Sequence, residues 1–569
     1  MPQARSEGQW ALGYTEPLNS AEAAKREDDG LNARARIEHL YSKKGFGWIW
    51  PSDLRSRFRW CGLYTQRPEV DGYFMMRIRI PGGVLSSEQT RAIADVSRRF
   101  GRDVADVTDR QNIQLHWIRV EDVPRIWERL ESVGLSTMEA CGDVPRNVLG
   151  CPLAGVDASE IIDASEIVQQ VSDRLLLDPE FSNLPRKYKI SIAGCAHHCA
   201  QHEINDVGLV GVRGPGGEAG FDLWVGGGLS TNPMFAQRIG TFVRPEQVTE
   251  VVVGVTRIFR DWGYRRARNR ARLKFLVRDW GTERFREMLE KQIGYALVDL
   301  PEPKTSAITG REHTGVWPQK DGRYYAGFVP KAGRISGHQL EAIARLSDRF
   351  GEGRVRTTTQ QKMVILDVPE EKVEDLVAEL DAIDLPSRAS AWRRGTMACT
   401  GIEFCKLAIV ETKGRAVELY RYLEDRLPGF DEDVRINVNG CPNSCARYQT
   451  ADIGLMGCQV SETVYTTDHD GNQVPAKRKV EAFLVHLGGH LGTGKAFGRK
   501  ARGVKVLGSE VGPYVEALVR RYRKGRAEGE NFAAFIARLS DDELAAFARK
   551  PALVGAPPAS SVIAEARVS

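Results

Sequence analysis

YFMMRIRIPGGVLSSEQTRAIADVSRRFG, from Tyr73 to Gly101, and YYAGFVPKAGRISGHQLEAIARLSDRFG, from Tyr324 to Gly351, are two versions of one segment. At an offset of about 250, Gly83, Gln89, Ala92, Ile93, Ala94, Ser97, Arg99, Phe100 and Gly101 recur as Gly333, Gln339, Ala342, Ile343, Ala344, Ser347, Arg349, Phe350 and Gly351. Each copy reads as a strand, a Gly-containing turn and an amphipathic helix. Thr108, Arg110-Gln111 and Val123-Pro124 then match Thr358, Gln360-Gln361 and Val368-Pro369, adding a strand and a second helix (Val123 to Val133; Glu371 to Ile383). A small α/β sandwich is therefore expected twice.

A second module is duplicated as well. Ile192-Ala193-Gly194-Cys195 to Cys199-Ala200, leading to Asp206 and Gly208-Leu209, aligns with Val438-Asn439-Gly440-Cys441 to Cys445-Ala446, leading to Asp452 and Gly454-Leu455. Cys151 likewise matches Cys399, but Asp157 stands where Cys405 would be. The expected fold class is α+β: two halves related by a pseudo-two-fold axis. The boundaries read as an extension wrapping the core (1–66), a ferredoxin-like half-domain (67–138), a larger module (139–310), a second half-domain (311–390), a second larger module (391–550) and a tail (551–569). Asp470-Gly471 reads as a hairpin tip.

The four C-terminal cysteines carry the chemistry. Five residues separate Cys399 from Cys405, three separate Cys441 from Cys445, and thirty-five lie between the pairs. Four soft anionic ligands suit an iron–sulfur cube; a four-thiolate zinc site and two pairs of inert thiols are the alternatives. Zinc knuckles use gaps of about two to four residues, so the first gap argues against zinc. Pro442 is placed to start a helix whose N-terminal dipole would face an anionic cluster.

Thr400-Gly401 with Phe404-Cys405, followed by Asn439-Gly440-Cys441-Pro442-Asn443-Ser444-Cys445, resembles the sirohaem and [4Fe–4S] motif of the assimilatory ferredoxin-dependent sulfite and nitrite reductases. The resemblance runs from about Arg59 to Lys524. It implies a cube on Cys399, Cys405, Cys441 and Cys445, with Cys445 also the proximal ligand of the sirohaem iron. It implies that Arg77, Arg146, Lys187 and Lys189 hold a small oxyanion and supply protons, and that Arg110, Gln114, His116 and Asn443 contact the cofactors. Arg110, Gln114 and His116 are expected on one face of a strand. Lysine at both Lys187 and Lys189 resembles the sulfite reductases, whereas plant-type nitrite reductases usually have asparagine at the second position. The implied activity is the six-electron reduction of sulfite to sulfide, with ferredoxin-dependent reduction of nitrite to ammonia as the alternative. A haem-free iron–sulfur protein and a zinc-stabilised binding module are the other classes the cysteines admit.

Composition agrees with such an enzyme. Apolar content of 42% and charged content of 27% are ordinary for a globular chain, and a net charge of +5 marks neither a nucleic-acid nor a membrane partner. No apolar run approaches the roughly 18 residues of a membrane span, and ten cysteines in 569 residues do not make a disulfide scaffold, so a monomer in the cytoplasm is the expectation. No strand–GxGxxG–helix unit is present to bind a flavin or nicotinamide, so electrons are expected from an acidic ferredoxin. The basic run from Arg265 to Lys274 reads as a solvated helix face, a set of counter-ions or a docking surface. Cys151, Cys195 and Cys199 have two readings: a second metal centre completed by Asp157, His197 or His198, or a relic of the duplication. Cys141, a few residues before Arg146, is placed near the substrate pocket.

Overall fold

The computed structural model describes residues 19–302, 312–467 and 473–551, with the side chains of 464–474 left aside. The Asp470-Gly471 tip and all of the tail beyond Pro551 lie outside the described residues.

Both copies of the repeated segment form the expected elements: strands Tyr73–Ile78 and Tyr324–Phe328, then helices Ser87–Phe100 and Gly337–Phe350. The helices start where they do because Ser86 and Ser336 accept the N–H groups of Gln89 and Gln339. The glutamine side chains accept the serine N–H groups in return. The same two glutamines donate to the carbonyls of Val133 and Ile383 at 3.0 and 2.9 Å, tying each first helix to the end of the second. The two first helices pack on each other, and one apolar core holding Ile93, Val96, Leu115, Ile343, Leu346 and Ile365 runs through both modules.

The two modules also exchange strands. Val84–Ser86 of the first pairs antiparallel with Arg354–Thr357 of the second, and Arg334–Ile335 of the second pairs with Ala105–Val107 of the first. Gly83 and Gly333 (φ 74° and 79°) make the turns that deliver these strands. A Cβ on Gly83 would lie 2.3 Å from the Thr357 carbonyl oxygen, and one on Gly333 2.9 Å from that of Val107. Only glycine meets both the left-handed backbone and the close approach.

The larger modules each carry a five-stranded sheet: Ile190–Ala193, Val207–Arg213, Ala219–Val225, Gln237–Val243 and Val298–Asp299 in one, and Thr396–Ala398, Ile436–Asn439, Ile453–Thr467, Gln473–Leu487 and Arg499–Leu507 in the other. In both, a short strand pairs in parallel with the next (Ile190–Ala193 with Val207–Arg213; Ile436–Asn439 with Ile453–Thr467), and the cysteine loop fills the connection. The loops match in backbone torsion: His198 and Gln201 at φ 56°, Ser444 and Arg447 at φ 57° and 56°. Asp206 and Asp452 accept the N–H groups of Lys189 and Arg435, each at 2.9 Å.

Three expectations are corrected. Cys441 to Cys445 is a turn and not a helix, because left-handed residues at Ser444 and Arg447 break the run of right-handed torsions a helix needs. Arg110 lies in the turn before the strand Ile113–Arg119, next to Gln111 at φ 55°, so it does not share the alternation of Gln114 and His116. The Arg265 to Lys274 run is a connection with one 3-10 turn, Arg268–Arg270, leading into the helix Leu273–Ile293. Three of its charges are drawn inward by carboxylates: Arg265 to Glu22, Arg268 to Asp143 and Arg272 to Asp206. Glu22 sits on the helix Ser20–Glu27, so this network fastens the N-terminal extension to the core.

Candidate active site

Each cysteine loop is shaped by glycine and by N–H groups aimed at sulfur. Cys399 follows the strand Thr396–Ala398, and the Gly440 N–H donates to its Sγ at 3.2 Å. Gly401, at φ 76°, is irreplaceable because a Cβ there would lie 2.4 Å from Thr412 Oγ1. The Cys405 N–H closes the first loop on the Gly401 carbonyl at 3.0 Å. The backbone N–H and the side chain of Asn443 both hydrogen-bond Cys441. Such donors stabilise anionic sulfur. No three of these four sulfurs lie within 4.8 Å of one another, a separation too wide for one small ion and suited to a cube, whose thiolates stand on different irons. Burial raises the Cys399 and Cys445 thiols to about 11 and about 12, so loading a cluster displaces protons from both.

Cys445 is exposed by its accessible area yet strongly desolvated, so it opens onto an interior cavity and not onto the outer surface. Lys187 and Arg77 act electrostatically on Cys445 and share that space. The walls are cationic. Arg77 donates to Cys141 Sγ at 3.2 Å and to Gln114 Oε1 at 3.1 Å, which sets Cys141 beside Arg77. Arg146 wraps its own loop, donating to the carbonyls of Gly142 (3.1 and 2.7 Å) and Ala140 (3.3 Å). Arg110 donates to Asn205 Oδ1 at 2.9 Å and to the Asn147 carbonyl at 2.7 Å. Lys187 and Lys189 are half-buried on one side of Tyr188, which turns the other way into the core, as the alternation requires. Among the described residues none of these five cations makes a salt bridge.

Burial, reinforced by the charge of Arg272, brings the Lys187 ammonium down to about 7, and burial next to Arg110 holds Lys189 well below its usual range. Burial likewise brings Arg110 to about 9. Several desolvated cations without carboxylate partners are costly unless an anion enters. The donor set therefore fits both a polycarboxylate macrocycle and a small oxyanion.

His116 does not reach the cavity. It is fully buried, its Nε2 lies 2.9 Å from Asp106 Oδ2, and its ring stacks on Phe404 at 3.9 Å. It is a core histidine, and its expected contact with the macrocycle is withdrawn. Gln114, on the same face, donates to Thr400 Oγ1 at 2.7 Å, beside Cys399. Asp106 itself was missed by sequence reasoning. It gathers His116, Arg334 (2.7 Å) and Lys413 (3.3 Å), and Arg334 continues to Glu403 at 2.9 Å. This clasp holds the Cys399–Cys405 loop through Phe404 and Glu403. The only trace in the sequence is an acidic residue at an inward position of the short strand Ala105–Val107.

A duplicated α+β chain that sets Arg77 and Lys187 against one open thiol, Cys445, with three further cysteines in the adjoining loops, has the layout of a redox protein that reduces a small anion at a metallic cofactor. The chain matches the Nitrite and sulphite reductase 4Fe-4S domain over residues 141–297 and 390–551, and the Nitrite/Sulfite reductase ferredoxin-like half domain over residues 66–133 and 317–383. It is 49% identical over 564 residues to a sulfite reductase [ferredoxin] of Mycobacterium tuberculosis, covering 95% of this chain and 99% of that one. It is 36% identical to an assimilatory ferredoxin-dependent nitrite reductase of Haloferax mediterranei, covering 89% of each. The solved structure of the Mycobacterium tuberculosis NirA protein superposes with a TM-score of 0.87 at 48% identity, covering 95% of this chain and 100% of that one. The chain belongs to the nitrite and sulphite reductase family, whose cofactors are sirohaem and a [4Fe–4S] cluster. No helix among the described residues is long and apolar enough to cross a membrane.

Proposed function

We propose that this chain reduces sulfite to sulfide, taking six electrons from reduced ferredoxin and acting as a cytoplasmic monomer. Cys399, Cys405, Cys441 and Cys445 would hold the cube, and Cys445 the sirohaem iron. Arg110 and Gln114 would face the macrocycle, and Asn443 would donate to the cluster sulfur. Sirohaem and cluster, when bound, would supply the electrons for reducing an oxyanion held in the site.

The chain's own residues do the rest. Arg77 and Arg146 are permanent charges that fix the oxygens of the anion. Lys187, poised near neutrality, is suited to give protons to departing oxygen and to be recharged. Lys189 adds a fourth donor.

The reading is supported by the pair Lys187 and Lys189, both half-buried on one side of Tyr188, with Arg146 acting on the charge of the first and Arg110 on that of the second. Sulfite is larger and more highly charged than nitrite, and its three oxygens use a denser set of cationic donors. Relatives bearing the sulfite name stand at 49% identity and those bearing the nitrite name at 36%. Lys189→Asn tests it. Removing one preorganised donor is expected to lower kcat/KM for sulfite by about 10²-fold and for nitrite by much less. Equal losses for both anions would remove Lys189 as the residue that selects between them.

A further inference from the structure

The residues proposed to hold the substrate have counterparts in the other half of the chain, and those counterparts close on a cavity of their own. Arg146 stands five residues before Cys151, and Arg394 five before Cys399. Lys187 and Lys189 lead into the strand Ile190–Ala193 as Asp433 and Arg435 lead into Ile436–Asn439. Arg110 corresponds to Gln360. Arg394, Asp433, Arg435 and Gln360 all line one cavity, joined there by Lys362 and Glu312. The duplication thus repeats the layout of an anion site at a second place in the molecule.

The copy differs in size and in charge. Asp433 stands for Lys187 and Gln360 for Arg110, while Lys362 brings a cation where the first half has Asn112. The cavity volume is about 10 Å³, room for a single body of about the size of water and none for a macrocycle.

Within the cavity the carboxylates go to one cation and not to the other. Arg394 lies 2.9, 3.5 and 3.6 Å from oxygens of Asp431, Glu312 and Asp433. Lys362 is 4% exposed, yet among the described residues its ammonium makes no hydrogen bond and no salt bridge. Burial brings that ammonium down to about 8; Glu312 opposes the fall, and Arg435, Arg447 and Arg394 deepen it. A buried cation among cations is costly unless an anion joins it. Water could accept its N–H groups but would leave the charge uncompensated, whereas an anion of similar size does both.

We propose that this cavity is a second anion site, built on Lys362 with Arg435 on its wall, that holds one chloride ion and takes no part in the redox reaction. Three oxygens around sulfur exceed the volume, so sulfite does not compete for it. Lys362 lies between the strands Arg354–Thr357 and Met363–Val368, and Arg435 lies just ahead of Ile436–Asn439. The ion therefore ties the second ferredoxin-like half-domain to the module that carries the four C-terminal cysteines.

Crystals of the holoprotein grown with bromide in place of chloride are expected to show one anomalous peak beside Lys362 Nζ, absent in Lys362→Met. In solution, with ionic strength held constant by gluconate, an anion too large for the cavity, the thermal midpoint should rise with chloride. Once the site is filled, the expected rise is about 1 °C per tenfold increase. Lys362→Met should lose this rise while keeping the wild-type visible spectrum and kcat/KM. A wild-type cavity that shows water and no bromide would overturn the site. Bromide in the crystal without the chloride dependence in solution would mark an adventitious ion only and overturn it as well. A peak and a chloride dependence that both survive in Lys362→Met would overturn the assignment of Lys362.

Discussion

Serine in place of Cys445 is expected to bring anion reduction below about 1% of wild type, a larger loss than the ~10–100-fold typical of residues that only support metal ligands. The thiol is the one sulfur of the four that is open to the cavity where Arg77 and Lys187 stand, and hydroxyl oxygen is a poor substitute for soft thiolate toward iron. Electron paramagnetic resonance on the reduced variant should show haem and cluster as independent centres. A variant with normal coupling and turnover would place the bridge elsewhere.

Asp106→Asn is expected to destabilise the protein by about 3–5 kcal/mol, the cost of leaving buried cations without their partner. The carboxylate is 1% exposed and carries His116, Arg334 and Lys413. Burial opposes its charge, yet Lys413, Arg334 and His116 together hold its carboxyl well below the usual range. A carboxylate lowered in the folded state stabilises above its unfolded value near ~3.9, and that contribution is lost as pH falls below it. Urea midpoints of wild type and variant should therefore stand well apart at pH 7 and converge below about pH 4. A gap that does not change with pH would show the carboxylate to be a spectator.

Much of this was legible in the sequence because the duplication preserved residues with narrow conformational duties. Gly83 and Gly333, Ser86 with Gln89 and Ser336 with Gln339 each do the same job in both halves. The cysteine spacing and its flanks carried the cofactors for the same reason. The exchanged strands were not legible. Val84–Ser86 and Arg334–Ile335 are too short to carry a period, and their partners lie far away in sequence.

Side-chain direction was the other blind spot. Gln114 and His116 share a strand face, but whether that face met a cofactor or Phe404 depended on the C-terminal module.

Steady-state kcat/KM of the wild-type holoprotein for sulfite and for nitrite, each with reduced ferredoxin as donor, decides which anion the enzyme serves. The value for sulfite is expected to be higher, with sulfide formed at one per six electrons. A higher value for nitrite, with ammonia as the product, would contradict it.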